Sequence, residues 1–195
     1  MTQSSDHFDQ LYRANPDPWD YHTSAYERRK YDATLAALTR QHYGSVLEAG
    51  CSIGVLSARL AQRCDRLLAL DFSDLAVAQA IGSLAPFPHA EARRATLPGD
   101  WPAGDYDLIM LSEFIYYLTP DQIAQIADLV ARDARDRAEI VLVHWQGDTQ
   151  TQLTPNAARD LFCTALSARR RFQTISHPTP DEYDHVTLLF SGEQE

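Results

Sequence analysis

The segment Val46-Leu47-Glu48-Ala49-Gly50-Cys51-Ser52-Ile53-Gly54-Val55-Leu56-Ser57 predicts a short buried strand that turns on glycines into a helix. Leu67-Leu68-Ala69-Leu70 predicts a second buried strand that ends on Asp71, 17 residues after Gly54. An acid at that place can hold the two hydroxyls of a ribose. Two features argue against a dinucleotide or a nucleoside triphosphate. Ser52 stands where a pyrophosphate needs the closest backbone approach, and no Gly-Lys-Ser/Thr follows. Glu48, at the strand end, would repel a phosphate and can receive a cation or an ammonium group.

The 195 residues suffice for one domain with a single core, and we expect one, with residues 1–43 as a helical leader or lid and 44–195 as the core. A hydrophobic content of 45% with 23% charged residues is ordinary for a soluble globular chain. The net charge of -10 argues against a nucleic-acid partner, because phosphate-backbone binding needs clustered Lys and Arg. Arg28-Arg29-Lys30 and Arg169-Arg170-Arg171 are short enough to read as solvated faces. No apolar run approaches the ~20 residues of a membrane helix, and the polar start Thr2-Gln3-Ser4-Ser5-Asp6 lacks a signal pattern, so no membrane partner and a cytoplasmic location are expected. Cys51, Cys64 and Cys163 have no Cys-x-x-Cys spacing, and no metal site is expected.

Asn15-Pro16-Asp17-Pro18 breaks any helix in the leader, and Tyr31, Leu35 and Leu38 recur at helical spacing in a helix from Ser24 to about Tyr43. Strands are expected at Ser45–Ala49, Arg66–Leu70, Ala90–Ala95, Tyr106–Leu111, Glu139–Trp145, Arg171–Ser176 and His185–Phe190. Helices at Val55–Cys64, Asp74–Ser83, Asp121–Arg135 and from Thr154-Pro155 to about Leu166 alternate with them. The alternation implies an α/β, Rossmann-like fold with a seven-stranded, mostly parallel sheet and helices on both faces. The closing hairpin-like pair implies one antiparallel strand near the C-terminus.

Glu48 to Gly54 resembles motif I of the class I SAM-dependent methyltransferases, and Leu70-Asp71-Phe72-Ser73 resembles their acidic loop. Asp105-Tyr106-Asp107-Leu108-Ile109-Met110-Leu111-Ser112-Glu113 is similar to their fourth-strand segment. The leader, with His7-Phe8-Asp9-Gln10-Leu11-Tyr12, Asp17-Pro18-Trp19-Asp20-Tyr21 and Ser24-Ala25-Tyr26-Glu27-Arg28, resembles the NodS-type nodulation N-methyltransferases. S-adenosylmethionine, adenosine at one end and a sulfonium-bearing zwitterion at the other, also suits the acids and the missing phosphate glycine.

The resemblance implies that Gly50 and Gly54 line the methionine portion, Asp71 binds the ribose, Phe72 covers the adenine, and Thr96 and Leu97 meet the adenine edge. Glu48 and Cys51 belong to the same turn, Cys51 as a small residue that fits there rather than as a reactive thiol. Trp19 and Tyr26 are placed to exclude water and to present ring faces to the sulfonium, and each also reads as core packing. Ser112 and Glu113 follow the fourth strand, at the carboxyl edge where open α/β sheets bind ligands. Glu113 is the first candidate to take an acceptor's proton, with a solvent-facing helix-start acid as the alternative, and His144 is the second candidate, with a structural histidine as the alternative. The expected reaction is methyl transfer to a small-molecule acceptor, an amine such as an amino sugar. O-methylation and a non-catalytic SAM-binding sensor are the competing readings.

Overall fold

The structure, a computed structural model, describes residues 5–180 and 182–192. The polar start at residues 2–4 lies outside them. Seven strands form one sheet in the order β3-β2-β1-β4-β5-β7-β6. They are β1 (Val46–Ala49), β2 (Leu67–Asp71), β3 (Ala90–Arg94), β4 (Tyr106–Ser112), β5 (Ala134–Trp145), β6 (Phe172–Ser176) and β7 (Tyr183–Phe190). The pairs β1–β2, β2–β3 and β4–β5 are parallel, and β7 is antiparallel to both β5 and β6. The Rossmann-like arrangement expected from the alternating pattern is the one observed.

The chain divides into two compact units, Gln3–Ala95 and Thr96–Glu195. In the first, α1 (Ser5–Ala14) and α2 (Ala25–Ala37) precede β1, and α3 (Val55–Leu60) and α4 (Asp74–Leu84) follow β1 and β2. Both α2 and α4 begin at serine caps, with Ser24 Oγ accepting from the Glu27 amide and Ser73 Oγ from the Ala76 amide. Helix α1 was not expected, yet Phe8, Leu11 and Tyr12 carry helical spacing, and it stops at Ala14, just before the Asn15-Pro16 break. Helix α2 ends six residues short of the expected Tyr43. Tyr43 instead makes a parallel bridge to Cys64, and Arg63 donates to the carbonyls of Leu35, Arg40 and Gln41, fixing an irregular segment.

One basic cluster departs from the solvated reading. Arg28 and Arg29 are exposed, but Lys30 is only 3% exposed, its Nζ 3.1 Å from Glu27 and 5.2 Å from the centre of the Tyr26 ring. One helical turn separates Lys30 from Glu27, so a buried lysine here comes with its counter-charge. In the second cluster, Arg169 pairs with Asp128, and Arg170 pairs with Asp136 and stacks over Phe190.

In the unit Thr96–Glu195, α5 (Pro120–Asp133) starts on a capping box in which Thr119 and Gln122 satisfy each other's amides, and α6 (Pro155–Ser167) starts on Thr154. Ile123, Ile126, Ala127 and Val130 of α5 and Ala158, Phe162 and Leu166 of α6 are buried, and the two helices pack together. Strand β5 begins at Ala134, five residues before the expected Glu139, and cuts short the helix expected to reach Arg135. The early part, Ala134-Arg135-Asp136-Arg137, has no β-branched residue and contains Arg137 at φ 60 beside a register shift, which is why periodicity misses it.

His185 of β7 is buried, with its ring centre 4.3 Å from that of His177 and its Nε2 without a hydrogen bond among the described residues. Burial, reinforced by His177 and opposed by Asp184, pushes its pKa down to about 4. The unfolded chain, with an ordinary histidine value of about 6.5, binds this proton first. The His185 contribution is therefore complete above that value and is lost as pH falls toward 4. Urea unfolding at pH 7.5 and pH 5 should show about 2 kcal/mol of stability lost to this residue, and His185→Gln should lose that much less over the same interval.

Candidate functional site

The loop from β1 to α3 is built from backbone that most residues avoid. Gly50, Ser52 and Gly54 have φ of 80, 49 and 81, three left-handed positions within five residues. Two are glycines, while Ser52 accepts strain and is held by hydrogen bonds. Its amide donates to Asp71 Oδ2 at 2.9 Å, and its Oγ lies 2.6 Å from the Tyr12 hydroxyl. The Gly50 and Cys51 amides both donate to the Leu70 carbonyl, so the loop is tied to the end of β2.

Asp71 joins two loops. Its Oδ2 takes the Ser52 amide and its Oδ1 takes the Ser73 amide at 3.0 Å. Burial raises its pKa, the amides of Ser73, Ser52 and Phe72 oppose that rise, and Asp9 adds to it. Each carboxylate oxygen has a second lone pair, so both ribose hydroxyls can still bond there.

Helix α1 lies on these loops. Ser73 Oγ donates to Asp9 Oδ1 at 2.6 Å, Gln79 Nε2 donates to the Pro16 carbonyl, and the Phe8 and Phe72 rings meet edge to face at 5.2 Å. Trp19 packs against Phe8, Tyr12 and Tyr21, with over a third of its surface exposed. Tyr26 is the second residue of α2, its ring engaged by Lys30. Asp9 and Tyr12 were absent from the expected site. The aromatic spacing of α1 was their available signal, but neither the Tyr12 to Ser52 pairing nor the Asp9 to Ser73 pairing can be read from spacing.

Glu48 is 2% exposed, and burial pushes its pKa up to about 8, with Asp71 adding to the rise and the Ser57 hydroxyl tempering it. Despite that proximity, neither Glu48 Oε2 nor Ser57 Oγ makes a hydrogen bond of good geometry among the described residues. A buried, orphaned carboxyl oxygen calls for a donor, and the ammonium of an amino-acid ligand is one. Cys51 is buried in the same loop, and desolvation with the charges of Asp71 and Glu48 pushes its thiol well up, which fits a packing residue rather than a nucleophile.

The unit Thr96–Glu195 brings another group together at the carboxyl ends of β4 and β5. Ser112 ends β4 and is buried, and Glu113 follows in the left-handed region at φ 53. The Glu113 amide donates to the Val143 carbonyl at 2.8 Å, and Glu113 Oε2 accepts from the Trp145 amide at 2.9 Å and from the Tyr116 hydroxyl at 2.8 Å. Glu113 is thus no solvent-facing helix start. Its carboxylate supplies the acceptor that the ladder to β5 needs after β4 has ended. The Tyr116 ring is 4.5 Å from Tyr117 and 5.7 Å from His144. Burial and the neighbouring Glu113 raise the Tyr116 pKa well above its usual value, so its proton stays on. His144 is 0% exposed, whereas Trp145 is 41% exposed. Thr96 and Leu97 lie in a turn that Asp100 closes by accepting from the Thr96 amide; Thr96 is exposed and Leu97 buried. No cluster of His, Cys, Asp and Glu fit for a metal occurs among the described residues, and no helix there is long and apolar enough to cross a membrane.

Residues 4–141 match the family described as Nodulation protein S (NodS). The chain belongs to the NodS family. It is 31% identical over 146 residues to nodulation protein S of Bradyrhizobium diazoefficiens, covering 72% of this chain and 69% of that one. A crystal structure of a putative methyltransferase from Pseudomonas syringae is 35% identical, covers 85% of this chain and 99% of its own, and superposes with a TM-score of 0.73. The fold is also that of the N-methyltransferase NodS from Bradyrhizobium japonicum WM9 in complex with S-adenosylhomocysteine, with a TM-score of 0.76 at 19% identity over 98% of this chain and 100% of that one. As a NodS-family member the protein is a SAM-dependent methyltransferase. The residues around the motif I loop suit that cofactor: an orphaned acid, a bidentate acid, aromatic rings and no phosphate equipment.

The loop also makes a structural demand. A Cβ on Gly54 would meet the Ala80 Cα at 2.9 Å and Ala80 Cβ at 3.0 Å, at a φ where side chains are strained. Because the obstacle includes the α4 backbone, Gly54→Ala should lower stability by roughly 2 kcal/mol or more in chemical denaturation.

Proposed function

We propose that this enzyme methylates the nitrogen of a small amine, an amino sugar or related hydroxylated amine, with Glu113 holding the acceptor's ammonium and taking its proton. Bound SAM supplies a methyl group on a positively charged sulfur. An ammonium has no lone pair, so one N–H bond must break with its electron pair left on nitrogen before that nitrogen can attack the methyl carbon. The attack forms a C–N bond as the C–S bond breaks, leaving a neutral thioether. The observation that carries the reading is the anchoring of Glu113 beyond β4 by Tyr116 and Trp145, which fixes an anionic group at the carboxyl edge of the strands. His144, wholly buried edge-on to Tyr116, reads as the residue that supports that tyrosine. The N-methyltransferase activity named for the relative from Bradyrhizobium japonicum supports nitrogen as the target. The segment after β5, Gln146-Gly147-Asp148-Thr149-Gln150-Thr151-Gln152, offers amide and hydroxyl groups suited to sugar hydroxyls. The net charge of -10 supports a small acceptor over nucleic acid.

Labelled SAM offered with amino sugars, simple alkylamines and amine-free polyols should transfer label to amines. Transfer confined to hydroxyl or carboxylate compounds would overturn the amine reading. On the acceptor so found, Glu113→Gln should lower turnover by roughly 10²–10⁴-fold with SAM affinity unchanged.

We also propose that residues 1–43 act as a lid on the core 44–195. The bonds from Asp9 and Tyr12 to the cofactor loops support this. Amide exchange over residues 8–30 should slow when S-adenosylhomocysteine binds, and Tyr12→Phe should reduce that protection. Equal exchange with and without the ligand would make the leader a static cap.

A further inference from the structure

Glu48 stands third in β1, and its carboxyl is enclosed, with Oε2 making no hydrogen bond of good geometry among the described residues although the Ser57 hydroxyl is close enough to temper its pKa. The Ser57 hydroxyl of α3, buried beside it, is equally unsatisfied among the described residues. The charged group that acts on Glu48 is another acid, Asp71, on the neighbouring strand β2. Asp9 of α1 acts in turn on Asp71, and the Cys51 thiol feels both Asp71 and Glu48. Two anions would therefore be enclosed near one another, and only Asp71 has amides to hold its charge. Enclosure of this kind favours the uncharged form of Glu48, and its pKa lies at about 8.

We propose that Glu48 is a neutral carboxylic acid in the free enzyme and that the ammonium group of the cofactor, on binding, drives its proton into solvent. The inference rests on the SAM reading of this loop and deepens it by making cofactor binding a proton-releasing equilibrium. The Glu48 O–H bond breaks with its electron pair left on the carboxylate, the proton passes to the buffer, and the ammonium keeps its own protons. No covalent bond to the cofactor forms. The free enzyme thus avoids two adjacent buried charges, and the ionised Glu48 arises together with its counter-charge. Cofactor affinity should consequently rise about tenfold between pH 6 and pH 7, since each pH unit below the pKa of an acid reduces its ionised fraction tenfold. The rise should level off near pH 8, where Glu48 ionises unaided and an α-amino group, with a pKa of about 7.7–8.0, loses its proton.

Calorimetry at pH 6.5 in buffers of differing ionisation enthalpy counts the protons released. S-adenosylhomocysteine should release about one proton per molecule bound, and 5′-methylthioadenosine, the same nucleoside without the amino-acid end, about none. Glu48→Gln should bind S-adenosylhomocysteine without proton release and with an affinity flat between pH 6 and pH 7. Binding to the parent without release, or equal release with both ligands, would overturn the proposal while leaving the SAM reading intact. Failure of both SAM and S-adenosylhomocysteine to bind the parent would overturn the reading of the loop and the proposal with it. The comparison of two ligands on the parent protein decides the matter even if the glutamine variant does not fold.

Discussion

The carboxylate of Asp71 ties together the loops that follow β1 and β2. Its two oxygens take amides from two different loops, Ser52 after β1 and Ser73 after β2. The ends of both strands and the starts of α3 and α4 are thereby fixed relative to one another. Ser52 then offers its hydroxyl to Tyr12, and Ser73 offers its own to Asp9, so the leader helix is held by residues that Asp71 has already positioned. One buried acid thus sets the loop, the cap of α4 and the seat of α1. Both oxygens keep a second lone pair, so the structural role leaves room for a ligand on the same side chain.

The strain at Ser52 and at Glu113 has a common logic. Each is a non-glycine residue in the left-handed region, a conformation that costs of order 1 kcal/mol or more and persists only where other bonds enforce it. Ser52 is enforced by Asp71 and Tyr12; Glu113 is enforced by its own amide on Val143 and by two donors on its carboxylate. In both cases the turn re-aims a functional group at the point where a strand runs out. A glycine would relax the backbone and remove the hydroxyl or carboxylate that the turn presents.

The charge pattern around the motif I loop also selects among nucleotides. Glu48, Asp71 and Asp9 place three acids on neighbouring elements. A ligand bearing phosphates would meet the charges of Asp71 and Asp9 there, whereas one bearing an ammonium would call up its own counter-charge on Glu48. Aromatic side chains from α1 and the segment after it, Phe8, Tyr12 and Trp19, add a surface that sheds water without adding charge.

The local signals in the chain were enough for the strand order and for the order of the helices after α1, because each rests on neighbours in sequence. Buried runs such as Leu67 to Asp71, the glycines of the motif I turn, and the cap and proline pairs at Thr119-Pro120 and Thr154-Pro155 act within a few residues. For the same reason Asp71 and Glu48 could be named as binding candidates before any contact was known. The chain alone did not reveal the early start of β5, whose first residues lack β-branched character and gain their place from pairing with β4. Nor did it reveal that Lys30 is buried, since its sequence neighbours Arg28 and Arg29 are exposed. The roles of Tyr12, Tyr116 and Trp145 are tertiary: Ser52 is 40 residues from Tyr12, and Glu113 is 32 residues from Trp145. Hydrogen bonds across such separations depend on strand register and loop path, and periodicity carries no trace of either. The sequence determined which groups were available for chemistry, and the folded chain decided which of them are held, shielded or left wanting a partner.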